Sequence, residues 1–299
     1  MTDAIGRARP RIGILGNPGD LYGGTVLAAT IATFETVVEV SRTTFYAPPA
    51  FLSPAADLQR LAFERVASGR AGCALTMQTS IPLQSGLAGS SAILIATLRA
   101  LDTYFGLELT PLDLARIAWE IERDDLGIIA GPQDRVIQAV GGLQLLDFGG
   151  DESLGTRRPI DPSLLPPMLV AWPERANRSS GDVHRDVWNR VQNGDGVLAK
   201  RIAEFAAIAR EGTTALEGGD LLRFADAIDA NFDLRASIFD LETDDRHLVD
   251  VARSAGGAAK SCGSGGAVLA IARPGAELAP VAAALEAAGA SVERDVTVA

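Results

Sequence analysis

The residues with the most chemical content form the run Ile81–Ala92, IPLQSGLAGSSA. Pro82 closes an apolar stretch, Gly86 and Gly89 follow it, and Ser90 and Ser91 open a segment with apolar residues at helical spacing. A glycine loop emptying into a helix N-terminus presents unpaired N–H donors and a partial positive charge, which suits a phosphate. Glycines let the backbone approach the phosphate oxygens. A serine hydroxyl in the first turn either caps the helix or ligates Mg²⁺, and the residues alone leave both readings open. The loop lacks the Gly-Lys-Ser/Thr of a Walker A loop and is not a GxGxxG turn. A second group of candidates is acidic: Glu120, Glu122, Asp124 and Asp125 in LARIAWEIERDDLGIIAG, then Asp134 in GPQD. A solvated helix face accounts for Asp124 and Asp125. Asp134, behind glycine and proline, could by itself simply cap the helix RVIQAV.

PLQSGLAGSSA resembles the second motif of the GHMP kinases (the galactokinase, homoserine kinase, mevalonate kinase and phosphomevalonate kinase group), Pro-x-x-x-Gly-Leu-x-Ser-Ser-Ala. This chain has one more residue between Leu87 and Ala92. RIGILGNPGDLYGG, Arg11–Gly24, stands where the first motif belongs, with Gly16-Asn17-Pro18-Gly19-Asp20-Leu21-Tyr22-Gly23 in place of Gly-Glu-His-x-Asp-Tyr-x-Gly. GAAKSCGSGGAVLAI, Gly257–Ile271, resembles the third motif, a glycine loop before a strand. Within the family, GNPGDLYGG, TSIPLQSGLAGSSAI, LGIIAGPQDRVIQAVGGLQLLDF, DPSLLPPMLV, ANFDLR and GAAKSCGSGGAV are similar to the matching segments of glucuronokinases, whereas Tyr46–Gly72 is shorter than in those enzymes.

The resemblance implies ATP and Mg²⁺ as cofactors and assigns roles. Pro82, Gln84, Ser85, Gly86, Leu87, Ala88, Gly89, Ser90 and Ser91 bind the nucleotide. Ser91, counted back from Ala92, and Glu122 hold the metal, with Glu120 as the other glutamate on the same helix. Asp134 is the base that receives the hydroxyl proton. Asn17 and Asp20, with Gly263, Ser264 and Gly265 of the third motif, lie at the substrate. An anionic substrate inside an acidic protein needs a dedicated cation, and the fork of an arginine suits a carboxylate. Arg135 and Arg235 are the candidates, with Arg135 equally readable as the counter-ion of Asp134. Arg11 stands where some members use a lysine for charge stabilisation. An arginine there acts only electrostatically, or else lies at the surface. Cys262 reads as a packing residue, and His184 as either a surface or a substrate residue.

These groups need elements to hold them. RIGILG reads as a strand entering a turn, Thr25–Phe45 as paired strands, Ala55–Ser68 as a helix and Cys73–Pro82 as a strand. Ser90–Phe105 and Leu112–Asp124 read as helices and Val140–Phe148 as a strand. Beyond a polar, proline-rich stretch at Asp151–Pro167 come the strand PPMLVAW, helical patterns over Val183–Arg210 and Gly219–Asp240, the helix HLVDVARSAG, the strand AVLAIAR, and a helix and strand to the end. Helices mixed with hairpin-like strands predict α+β rather than a doubly wound sheet.

The 299 residues are 47% hydrophobic and 22% charged, with a net charge of -11. Such an acidic chain repels phosphate backbones, so no nucleic-acid partner is expected. No apolar run approaches the ~20 residues of a membrane span, and the first residues carry no signal-peptide core. A cytoplasmic protein, monomer or homodimer, is expected. Two cysteines and two histidines give neither a disulfide framework nor a zinc site.

The expected architecture is α+β, the GHMP kinase fold. Residues 1–155 form a nucleotide-binding domain of ribosomal-protein-like topology, and 156–299 a ferredoxin-like domain. The expected reaction is ATP- and Mg²⁺-dependent phosphorylation of a sugar, with the anomeric hydroxyl of glucuronate first. The alternatives are a kinase for another sugar or sugar acid, and a non-catalytic binding protein on the same fold.

Overall fold

The β-branched run that follows the first glycine turn does form two strands, but they enter different sheets. In the computed structural model, which describes residues 2–46, 53–70, 72–82, 84–150, 153–173 and 180–299 (the backbone alone for 180–183), the chain opens with β1 (Ala4–Ala8), β2 (Arg11–Leu15), β3 (Thr25–Thr30) and β4 (Thr36–Arg42). Helix α1 (Pro54–Ala67), strand β5 (Cys73–Thr79) and helices α2 (Gly89–Phe105), α3 (Pro111–Glu120) and α4 (Gln133–Val140) follow, then β6 (Leu143–Asp147) and β7 (Thr156–Ile160). The second half is β8 (Met168–Pro173), α5 (Ser180–Gln192), α6 (Gly196–Glu217), α7 (Leu221–Ile238), α8 (Thr243–Ser254), β9 (Gly257–Ser261), β10 (Val268–Ala272), α9 (Leu278–Ala287) and β11 (Ala290–Glu293).

Three antiparallel sheets result, ordered β1-β4-β5, β2-β3-β6-β7 and β11-β8-β10-β9. Strand β3 pairs with β2 and β6, and β4 with β1 and β5. The paired strands expected over Thr25–Phe45 are therefore two strands that do not pair with each other. β-Propensity selects strands but not partners. The boundary expected between residues 155 and 156 falls just before β7, which stays hydrogen-bonded to β6 of the N-terminal half. The chain crosses to the second half only after Ile160. The helical pattern over Val183–Arg210 is broken at Gly194-Asp195, where Asp195 caps α6 through Leu198 N.

Helix α2 packs on β1, β4 and α1, and Ala92, Leu94, Ile95, Ala96, Leu98 and Leu101 are fully excluded from solvent. Burying each large side chain contributes roughly 1.5–3 kcal/mol, so the helix that carries Ser90 and Ser91 is fixed in the core. The same large core joins this face to α6 and α7 through Ala209, Leu216, Phe224 and Ile228. The two halves are knitted further by the tail, where Val298 bridges Ile31 and Ala299 N donates to Thr30 O at 3.0 Å. Among the described residues no helix is long and apolar enough to cross a membrane.

Candidate active site

The loop before α2 bends through Gln84, Gly86 and Ala88, all with positive φ (51°, 77° and 60°). Gly86 is required by its neighbour as well as its backbone, because a Cβ there would lie 2.0 Å from the carbonyl oxygen of Gly265. Ser85 is buried and donates to Pro82 O at 2.8 Å, and its own carbonyl accepts from Ala267 N. The third-motif loop is thus a backbone brace under the second. Gly263, Ser264 and Gly265 serve it through main chain: the first two carbonyls accept from Arg235 at 2.8 and 2.7 Å.

Helix α2 starts from Ala88 in the left-handed conformation with no side-chain cap. The two serines do not cap it. Ser90 Oγ donates to Glu122 Oε1 at 2.8 Å and Ser91 Oγ to Glu122 Oε2 at 3.4 Å. The first-turn amides of α2 are left without a side-chain acceptor, as an anion site requires.

Glu122 lies on a π-helical turn, Ile121–Asp125, that ends α3. π-Bulges often mark functional positions. Here the turn buries Glu122 while Asp124, exposed, pairs with Arg123. Glu120 points outward to Arg65 and Arg116, at 3.5 and 3.7 Å. Of the two glutamates, only Glu122 meets the serines. Its carboxylate also forms an ion pair with buried Arg135, which donates in addition to Gly131 O at 2.9 Å. Arg135 is therefore consumed as a counter-ion, in direct contact with Glu122 and acting on Asp134 through its charge.

Asp134 stands in the first turn of α4. Arg11 Nε and Nη2 donate to its two oxygens at 2.6 and 2.8 Å, and Arg11 Nη1 donates to Gly86 O at 2.7 Å. Arg11 is only 5% exposed, which removes the surface alternative for it. Burial alone would raise the Asp134 carboxyl, but Arg11 and Arg135 outweigh it and hold it below the usual range. Asp20 is pushed the other way, to about 6, by burial and then by the charge of Asp134. It accepts from Gln133 N at 3.2 Å, and a side chain at Gly131 would collide with it. Beside Asp20 opens a pocket of about 420 Å³ walled by Gly131, Pro132, Trp119 and Trp188, within the size range of small-molecule sites.

Asn17 is turned away from this pocket. Its side-chain oxygen accepts from Lys260 Nζ at 2.7 Å and its carbonyl from Asn231 Nδ2 at 3.1 Å. Lys260, which the sequence reading passed over, is 1% exposed and also donates to Gly13 O and Ser261 O at 2.6 and 2.7 Å. All three ammonium protons are used, although burial pushes this lysine down to about 7. Its signal was its place in GAAKSCGSGG, one strand residue from the loop. Cys262 is fully buried with its thiol pushed up to about 12 by burial, which keeps it protonated.

The family model for the GHMP kinases N terminal domain matches residues 55–142, and that for the GHMP kinases C terminal matches 206–291. Glucuronokinase 1 of Arabidopsis thaliana is 34% identical to this chain over 88% of its length and 83% of the plant protein. Probable glucuronokinase 2 of the same plant is also 34% identical, over 88% and 82%. The galactokinase of Lactococcus lactis, solved with galactose, superposes with a TM-score of 0.80 at 18% identity, covering 99% of this chain and 94% of its own. Mevalonate kinase of L. major gives 0.75 at 20% identity, covering 99% and 98%. At those identities the solved structures show the fold. Together with both family models and the plant relatives, they place the chain in the GHMP kinase family, as a phosphotransferase with an alcohol group as acceptor.

Proposed function

We propose that this kinase transfers the γ-phosphoryl group of ATP to a sugar, and that the sugar is glucuronate, phosphorylated on its anomeric hydroxyl. The observation that carries the reading is the carboxylate of Asp134, held by an arginine whose third nitrogen grips the phosphate loop at Gly86. Phosphoryl transfer passes through a loose transition state and is accelerated mainly by positioning and charge stabilisation. Asp134, kept ionised, accepts a hydrogen bond from the attacking hydroxyl, aims it, and takes its proton as the bond to phosphorus forms. Arg11 holds the carboxylate in place and adds positive charge beside the loop. The amides of Gly89, Ser90 and Ser91 at the uncapped start of α2 receive the nucleotide phosphates.

The hydroxyls of Ser90 and Ser91 and the Glu122 carboxylate are hard oxygen donors that fit Mg²⁺. When bound, the ion neutralises phosphate charge. Asp20, next to the pocket and partly protonated near neutrality, is suited to hydrogen-bond sugar hydroxyls in either state. The choice of glucuronate rests on the two plant relatives, which are named for that activity. The test is ADP release with ATP, Mg²⁺ and a panel of glucuronate, galacturonate, glucose and galactose. The reading predicts the highest kcat/KM for glucuronate. A neutral sugar in first place would remove the sugar-acid assignment.

A further inference from the structure

The cation that an anionic sugar would need is not Arg135, which Glu122 already neutralises. Nor is it Lys260, whose three donors are all taken. Arg235 of α7 differs from both. It is 1% exposed, makes no ion pair among the described residues, and donates only to the carbonyls of Gly263 and Ser264, with its Nε left buried and without a partner. Its guanidinium lies 5.5 Å from the centre of the Phe239 ring. His184 of α5 meets the same ring edge-to-face, with centroids 5.4 Å apart. His184 is 7% exposed, and its Nδ1 is likewise buried with no partner. Two orphaned nitrogens on one aromatic ring are a costly arrangement that calls for an explanation.

We propose that His184 and Arg235 form the seat for the carboxylate of the sugar acid, on the C-terminal side of the cleft, with the reacting hydroxyl at Asp134. This rests on the sugar-acid reading above. The charge of buried Asp245 reaches Arg235, yet the Arg235 Nε keeps no hydrogen-bond partner, and a bound carboxylate would supply one. The imidazole adds a directional N–H donor. Burial, and then the Arg235 charge, push His184 down to about 3 against the pull of Asp134, so the ring is neutral at working pH and donates without titrating. Gly263, whose carbonyl Arg235 holds, abuts the Arg11 guanidinium that pairs with Asp134, so the seat adjoins the acidic side of the site. In a pyranose the anomeric hydroxyl and the C6 carboxylate flank the same ring oxygen, so a cation close to Asp134 is needed to offset the repulsion between that charge and the Asp134 carboxylate.

The experiment compares kcat/KM for glucuronate and for glucose, which replaces the carboxylate with a hydroxymethyl group, in the wild type, His184→Gln and Arg235→Met. Losing one hydrogen bond to a charged group should raise KM for glucuronate roughly 10- to 100-fold in His184→Gln. Glucose kinetics and the KM for ATP should stay within about threefold, less than one such bond is worth. Arg235→Met should lose more on glucuronate than on glucose, on top of a loss common to both sugars from the third-motif loop that it holds. Because Arg235 also braces the third-motif loop, its melting temperature is checked, and His184→Gln decides the matter if that variant fails to fold. Equal losses on both sugars, or an unchanged glucuronate preference in His184→Gln, overturn the carboxylate seat while leaving the sugar-acid reading in place. A wild type that does not prefer glucuronate overturns both.

Discussion

Arg11 reaches from β2 to Asp134 on α4 with two hydrogen bonds of 2.6 and 2.8 Å, and the same guanidinium holds the carbonyl of Gly86 at 2.7 Å. One side chain therefore ties the proposed base to the phosphate loop. It also fixes the charge state of that base, since an arginine does not deprotonate.

Asp134→Asn should lower kcat at least ~10²-fold, the lower end of what general-base loss costs, with the KM for ATP nearly unchanged. Steady-state kinetics on the best sugar reads it. Turnover close to the wild type would reduce Asp134 to a structural first-turn residue. Arg11→Met should lose kcat as well. Because the two residues act as one unit, the double variant should fall well short of the product of the single losses.

Glu122→Ala should raise the Mg²⁺ concentration for half-maximal rate and also destabilise the protein by about 3–5 kcal/mol, because Arg135 is left buried without its partner. The two effects separate in Glu122→Gln with Arg135→Met, which removes both charges. That variant should regain melting temperature while keeping the weakened Mg²⁺ response. An unchanged Mg²⁺ response would make the Glu122–Arg135 pair purely structural. Ser90→Ala should weaken the response at least as much as Ser91→Ala, because its hydroxyl is the closer of the two to Glu122.

The glycine–serine loop and the acidic residues could be singled out as candidates because they are local: glycine, serine and aspartate at fixed spacing carry their own chemistry. The choice between Glu120 and Glu122 was not, since it depends on the π-helical turn over Ile121–Asp125, which helical periodicity does not reveal. Strand positions followed from β-branched runs. Their partners did not, and Thr156–Ile160, exposed at four of five positions, gave no alternation to mark it as a strand of the first sheet. The pairings Arg11–Asp134 and Lys260–Asn17 span 123 and 243 residues. No spacing rule reaches that far, so the partners of buried charges are what the structure adds.

Gly86→Ala should abolish activity and lower stability, since its Cβ would strike the Gly265 carbonyl at 2.0 Å in a backbone conformation with φ of 77°. Cys262→Ser, by contrast, should keep most of the activity, as the loop works through its backbone. Circular dichroism separates misfolding from inactivation in both. A folded but dead Cys262→Ser would contradict the packing role.

Asp20 carries a pH signature. Its folded pKa, about 6, lies above the ordinary 3.8, so the folded state favours its protonated form. That contribution is whole below pH ~4 and is lost as pH rises through about 6. Asp20→Asn should therefore gain stability on the wild type between pH 4 and 6, levelling at on the order of 1–3 kcal/mol. Thermal melts across that range read the difference. A flat difference would mean that Asp20 is not held protonated by burial and Asp134.

The most direct test is phosphorus NMR of a reaction containing the protein, ATP, Mg²⁺ and glucuronate. A glucuronate kinase with Asp134 as its base yields one new phosphomonoester resonance, coupled to the anomeric proton, growing as ADP appears and absent over the same period with Asp134→Asn. No new sugar phosphate, a phosphate coupled to another ring proton, or an equal yield from Asp134→Asn would contradict it.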